Sequence, residues 1–146
     1  MPIPKEGQKA PQFEALKALK GKRVVLYFYP KDDTPGCTVE ACAFRDNVKK
    51  IDKLNAVVLG VSPDDTKSHD KFIQKFKLPF TLIPDTDKKI VEAYGVWGEK
   101  TFMGRKYMGV FRTTFIIGTD GKIEKVFEKV KPEGHAEEVL EFLSQK

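Results

Sequence analysis

The stretch from Val24 to Phe44 constrains this chain more than any other. Its first part, Val24–Tyr29 (Val-Val-Leu-Tyr-Phe-Tyr), is an apolar run rich in β-branched and aromatic residues, of the length of a buried strand. Pro30 ends it, and Asp32, Asp33, Pro35 and Gly36 are turn formers. Val39–Leu54 then suits a helix. A strand that passes through a tight turn into a helix puts Cys37 in the first helical turn. Unpaired backbone N–H groups and the positive end of the helix dipole favour an anion there, and so a thiolate over a thiol.

The turn reads residue by residue. Thr34 is a good N-cap, and Pro35 fits the first helical position, where its missing N–H costs nothing. Cys37 then falls at the third position, where a capping box carries Glu or Gln. A thiolate at that point can accept from the backbone amide and from the Thr34 hydroxyl. Gly36, with no Cβ, allows a small substrate close to the main chain. The plainer reading makes Cys37 a small buried core residue, but inert buried cysteines rarely follow such a turn.

Pro30-x-x-x-Thr34-x-x-Cys37 resembles the active-site signature of the peroxiredoxins. The longer run from Tyr27 to Cys42, sixteen residues, is similar to the bacterioferritin comigratory protein (peroxiredoxin Q) subfamily. That resemblance implies a thioredoxin-like α/β fold, a central mixed sheet flanked by helices, and a thiol-dependent peroxidase. It makes Cys37 the peroxidatic cysteine and Cys42, five places on, the resolving one. A hydroperoxide is the implied substrate, and thioredoxin or an equivalent dithiol the implied reductant. No cofactor is expected.

At 146 residues the chain is most simply one domain, 1–146, with residues 1–23 an irregular N-terminal arm. Two cysteines cannot staple a chain of this size, and in a reducing compartment such a pair is redox-active or catalytic. Their spacing is not the Cys-x-x-Cys of a thiol–disulfide oxidoreductase, which weakens that alternative. Zinc is poorly supported, because His69 and His135 are the only histidines and lie far from both cysteines in sequence. The net charge of +5 comes from 26 basic residues interleaved with 21 acidic ones, without a basic block or a nucleic-acid motif. No apolar run approaches a membrane span, and the first residues lack the pattern of a signal peptide. The expected setting is cytoplasmic, without nucleic-acid or membrane partners, as a monomer or weak homodimer.

Further along, Ala56–Val61 is a second apolar strand, so strand, helix and strand make a parallel βαβ unit. Thr66–Lys77 reads as an amphipathic helix with Phe72, Ile73 and Phe76 on one face, and His69 is expected to face solvent or cap. Thr81–Ile83 is a short strand and Lys88–Tyr94 a short helix. Gly95–Gly109 reads as a long loop carrying Trp97, Phe102 and Tyr107, either an apolar rim over the site or simply mobile. Val110–Ile117 is strand-like, a turn at 119–122 leads into Ile123–Phe127, and His135–Gln145 closes as an amphipathic helix.

Arg112 falls inside that apolar strand, where an arginine is costly unless paired or used. Arg112-Thr113-Thr114-Phe115 resembles the family strand whose arginine reaches the peroxidatic cysteine. Glu40 matches an acidic position of the signature and would hold Arg112 by a charge-assisted pair. By the same resemblance Thr34, Arg112 and the turn amides are donors to the peroxide, and Pro30 shapes the pocket. From another class, a holdase that kept the fold without the chemistry is the remaining alternative.

Overall fold

The computed structural model describes residues 2–145. A short helix α1 (Glu14–Lys17) precedes the central strand β1 (Arg23–Phe28), and the cysteine helix α2 (Pro35–Lys53) follows it. Then come β2 (Ala56–Ser62), α3 (Thr66–Phe76), β3 (Thr81–Pro84) and α4 (Lys89–Ala93). A hairpin of β4 (Trp97–Phe102) and β5 (Arg105–Val110) leads to β6 (Thr113–Ile117), β7 (Ile123–Phe127) and α5 (His135–Ser144).

Five strands form one mixed sheet in the order β3-β2-β1-β6-β7. β1 runs parallel to β2 and β2 to β3, as βαβ crossovers require, while β6 and β7 are antiparallel. This is the thioredoxin-like arrangement expected from the sequence. β1 is buried along its whole length, which is why it reads as an unbroken apolar run instead of an alternating one. Its alternate side chains feed two cores. Val25 and Tyr27, with Tyr29 just beyond the strand, join Phe44 and Ile51 of α2 and Val139 of α5 on one face. Val24, Leu26 and Phe28 join Val91, Tyr94 and Phe115 on the other. Gly60 of β2 permits this packing, since a Cβ there would lie 2.7 Å from Leu82 and 2.9 Å from the Tyr27 ring.

Three expectations need correction. Residues 97–110 are not a loop: Trp97 pairs with Val110 and Phe102 with Arg105 in a regular antiparallel hairpin. Its strands lack clean alternation because the ribbon stands off the main sheet, leaving Phe102, Met103, Tyr107 and Met108 exposed. The apolar run 110–117 is not one strand either. It breaks at Phe111 and Arg112, where the chain passes from the hairpin into the main sheet. The arm before β1 is partly ordered, with α1 and with Lys9 bridged to Lys122 of the β6–β7 connection. Among the described residues no helix is long and apolar enough to cross a membrane.

Candidate active site

β1 delivers the chain to the C-terminal end of the sheet, and α2 starts from the loop that follows. Thr34 is the N-cap residue in extended conformation, Pro35 opens the helix, and Cys37 occupies its third position. The Thr34 hydroxyl, however, does not cap. It donates to the Lys31 carbonyl at 2.9 Å, which turns its proton towards the loop and away from the thiol. Pro30 is half-buried directly after Tyr29.

The donor at the thiol is Arg112. Its Nη2 lies 3.2 Å from Cys37 Sγ, while Nη1 donates to Glu40 Oε1 at 2.6 Å. Because it sits in the gap between β5 and β6, Arg112 escapes the cost of an arginine within a strand, and its carbonyl still accepts from Val130 N–H at 3.1 Å. Gly36 faces the Arg112 guanidinium and Pro132. A Cβ there would come within 3.3 Å of Arg112 Nη2 and 3.4 Å of Pro132 Cγ, so the missing side chain is what admits the guanidinium to the helix start.

Glu40 is 1% exposed, and its second oxygen has no hydrogen-bond partner. Burial pushes its carboxyl from 4.5 up to about 7, against the opposing charge and hydrogen bond of Arg112. Arg112 itself loses some basicity to burial but is held more firmly protonated overall by Glu40 and Cys37. The sign for stability follows. A carboxyl that binds its proton more tightly in the folded state contributes stability below pH 4.5, and that contribution is lost as the pH rises through about 7. The unfolding free energy of wild type relative to Glu40→Gln is therefore expected to fall by on the order of 3 kcal/mol between pH 4.5 and pH 8. Denaturant titrations across that range check it, and a constant difference would mean that Glu40 is an ordinary carboxylate.

Cys42 lies further along α2, half-buried and, like Cys37, a free thiol. The helix runs unbroken through both.

Two groups missed in the sequence adjoin this site. Lys100 of β4 donates to the Val110 carbonyl at 2.9 Å, and burial, then the nearby Arg112 charge, lower its basicity. His69 is not solvent-facing; it is 2% exposed, with Nδ1 2.6 Å from Asp32 Oδ2 and Nε2 3.0 Å from the Ile83 carbonyl. A sequence signal for it exists: His69 lies three residues before Phe72 and four before Ile73, on the apolar face of α3. Asp32, Asp64 and His69 offer ligand atoms within 4.8 Å of one another, so a histidine and two acids do meet despite their separation in sequence. His69 Nδ1 and Asp32 Oδ2, 2.6 Å apart, are spent on each other in a hydrogen bond and stand closer than two donors to one metal ion do.

A cysteine held by an arginine at a helix N-terminus, beside a parallel βαβ unit on a thioredoxin-like sheet, defines a thioredoxin-fold thiol enzyme. Comparison with known proteins narrows this. Residues 6–126 match the AhpC/TSA family. Coxiella burnetii has a relative 52% identical over 143 residues, spanning 92% of this chain and 95% of its own. Bacillus subtilis peroxiredoxin Bcp is 47% identical over 146 residues, spanning 94% and 93%. The structure of the Xanthomonas campestris bacterioferritin comigratory protein superposes with a TM-score of 0.84 at 41% identity, covering 89% of this chain and 83% of that one. The chain belongs to the AhpC/TSA family, and within it to the thiol peroxidases of the bacterioferritin comigratory (peroxiredoxin Q) type.

Proposed function

We propose that residues 1–146 form one catalytic domain that reduces hydrogen peroxide and organic hydroperoxides through Cys37, with Cys42 as the resolving thiol. The observation that carries this reading is the Arg112 guanidinium, shared between Cys37 Sγ at 3.2 Å and Glu40 at 2.6 Å on the first turns of α2. An organic substrate is supported by the alkyl peroxide reduction activity attributed to the Xanthomonas campestris protein.

The Cys37 thiolate attacks one peroxide oxygen. An S–O bond forms, the O–O bond breaks, and the departing hydroxide or alkoxide takes up a proton from solvent. Lowering a thiol's pKa yields more thiolate but a weaker nucleophile, so speed depends on donors aimed at the developing oxygen charge. Arg112 and the turn amides fill that role here, with Gly36 giving the guanidinium its place and Glu40 holding it. Thr34 contributes by starting the helix, and its hydroxyl must turn from Lys31 to meet the peroxide. Pro30, two residues beyond β1, is read as shaping the pocket.

The sulfenic acid left on Cys37 is then attacked by the Cys42 sulfur. An S–S bond forms, the S–O bond breaks, and water leaves. Five residues of regular helix separate the two Cα atoms by ~8.6 Å, from ~1.5 Å of rise per residue and 3.6 residues per turn. A disulfide spans at most about 7 Å between Cα atoms, so α2 unwinds around residues 36–44 before the bond closes. A dithiol such as thioredoxin restores the thiols by exchange. A reducing, cytoplasmic compartment suits both the free cysteines and such a reductant, and a monomer or weak homodimer suits an intramolecular disulfide.

Intact mass and free-thiol count after one equivalent of hydrogen peroxide test the scheme. Wild type is expected to lose both thiols rapidly with a mass loss of two hydrogens. Cys42→Ser is expected to stop at a trappable sulfenic acid and to turn over at least about 100-fold more slowly with a dithiol protein as reductant. Full turnover by Cys42→Ser would assign resolution to another thiol.

A further inference from the structure

A buried ion pair outside the cysteine site holds the loop from which α2 starts. Asp32 lies between Pro30 and Thr34, and its carboxylate collects three donors. Tyr29 O–H reaches Oδ1 at 2.6 Å, Ser68 O–H reaches Oδ2 at 2.8 Å, and His69 Nδ1 stands 2.6 Å from Oδ2. The Asp32 N–H donates to Asp64 Oδ2 at 2.8 Å, an atom that also accepts from Ser62 O–H at 2.7 Å. Asp33 pairs with Lys75 of α3 at 2.8 Å, and the Thr34 hydroxyl closes on Lys31. The short span 31–34 is thereby tied to α3 and to the end of β2. It continues into the catalytic helix through the Thr34 carbonyl, which accepts from Thr38 N–H at 2.8 Å.

The proton count identifies the state of His69. Its Nε2 faces the Ile83 carbonyl at 3.0 Å; a carbonyl only accepts, so Nε2 carries a proton. Its Nδ1 faces a carboxylate oxygen at 2.6 Å, where two lone pairs would repel, so a second proton lies between them. Tyr29 and Ser68 both donate to Asp32, which favours the carboxylate, and the second proton therefore belongs to the ring. His69 is an imidazolium sealed 2% exposed in the protein.

We propose that His69 is a positioning residue for the reaction at Cys37: as a buried imidazolium it locks Asp32, and with it residues 31–34, so that α2 starts where Arg112 meets the thiol. This inference rests on reading Cys37 as the peroxidatic cysteine. Its logic is geometric. Removing the charge takes one of the two ring protons, so a lone pair then faces either the Asp32 carboxylate or the Ile83 carbonyl. In both tautomers one of the ring's two anchors becomes repulsive and the Asp32 contact loses its ionic part, so the ring and the loop it holds must shift. Displacing reacting groups by about 1 Å can cost on the order of a hundredfold in rate.

The environment gives the pH direction. Burial opposes the charge on His69, but Asp32 by hydrogen bond and charge, the Ile83 carbonyl and Asp64 together raise its pKa above the usual 6.5. Asp32 is likewise raised by burial and brought below 3.8 overall by His69, Tyr29 and Ser68. Asp33 and Lys75, at the rim, neutralise each other. The lock is complete between these values; it is lost as the pH rises through the His69 pKa and as it falls through that of Asp32. The expected signature is a slower Cys37 oxidation on the alkaline side. Burial pushes Glu40 up to about 7, so it too ionises on the way to alkaline pH, and the same profile in Glu40→Gln separates its limb from that of His69. Burial lowers the pKa of His135, away from that range.

The experiment follows the His69 ring by NMR and the second-order rate of Cys37 oxidation by hydrogen peroxide over the same alkaline range. The expected result is a fall in rate of at least fivefold whose midpoint coincides with the ring titration. In His69→Asn, which keeps a donor for Asp32 but cannot titrate, that limb is expected to vanish. A fast wild type whose rate ignores the ring titration, or a ring that is neutral at pH 6, overturns the proposal and leaves the peroxidase reading standing. If the wild-type Cys37 thiol survives peroxide at every pH, the peroxidase reading falls and this proposal falls with it. Should His69→Asn not fold, the two wild-type midpoints decide alone.

Discussion

Cys37→Ser is expected to abolish peroxide consumption, by at least about four orders of magnitude, with little change in the fold. The substitution removes a polarisable anion and leaves an alcohol that does not ionise in the working range. Its steric cost is small. Cys37 is 1% exposed against the core of α2, and a serine oxygen occupies less room than sulfur. The buried hydroxyl is not orphaned either, because Arg112 Nη2, now 3.2 Å from the sulfur, can donate to it. Peroxide loss in a coupled assay, together with a thermal midpoint within a few degrees of wild type, checks both halves of the expectation. Residual turnover above about one per cent would move the chemistry to Cys42 or elsewhere. Retained binding of unfolded chains would not rescue the peroxidase reading, since a holdase needs no thiolate.

The strand–turn–helix around Cys37 was legible because local rules act on neighbours. An apolar run, a proline stop, an N-cap with proline behind it and a helix former sequence lie within about twenty residues. The β1–β2 parallel pair followed for the same reason. What was hidden depends on long-range placement. Nothing near Arg112 says that its strand breaks just before Thr113, and that break lets the side chain fold over Gly36. The hairpin at 97–110 was hidden because a ribbon standing off the core lacks the one-sided burial that creates alternation. Asp32 and Thr34 read as turn and cap residues, and by sequence alone they are. Their actual partners are His69, Ser68 and the Lys31 carbonyl, and the first two of these lie on another helix. His69 reads as solvent-facing because a polar residue on an amphipathic helix is usually solvated. Its place on the Phe72 face carried the opposite message.

Arg112→Met is expected to slow Cys37 oxidation by about 10²–10³-fold, the usual loss when one preorganised donor to a developing oxyanion is removed. Arg112→Lys tests whether charge alone accounts for it. A guanidinium spans two acceptors in one plane, here Cys37 Sγ and Glu40 Oε1, whereas an ammonium is a single point on a flexible stem. Lysine is therefore expected to recover less than a tenth of the lost rate. Full recovery would mean that a positive field near the thiol suffices and that the fork geometry is incidental. The partner residue separates holding from charge. Glu40→Gln keeps an acceptor for Nη1 and removes the buried carboxylate, so it should cost roughly tenfold or less in the wild-type background and nothing further once Arg112 is methionine. Such non-additivity is what a residue acting through another produces. The pH adds a second handle. Without the guanidinium nothing opposes the burial that already pushes Glu40 to about 7, so its carboxyl in Arg112→Met stays protonated to still higher pH. The stability lost with Arg112 should then be small at pH 5 and grow with alkalinity, as a neutral buried acid becomes an unpaired buried anion. A stability loss equal at pH 5 and pH 9 would show that Arg112 supports the fold by packing and not by its charge.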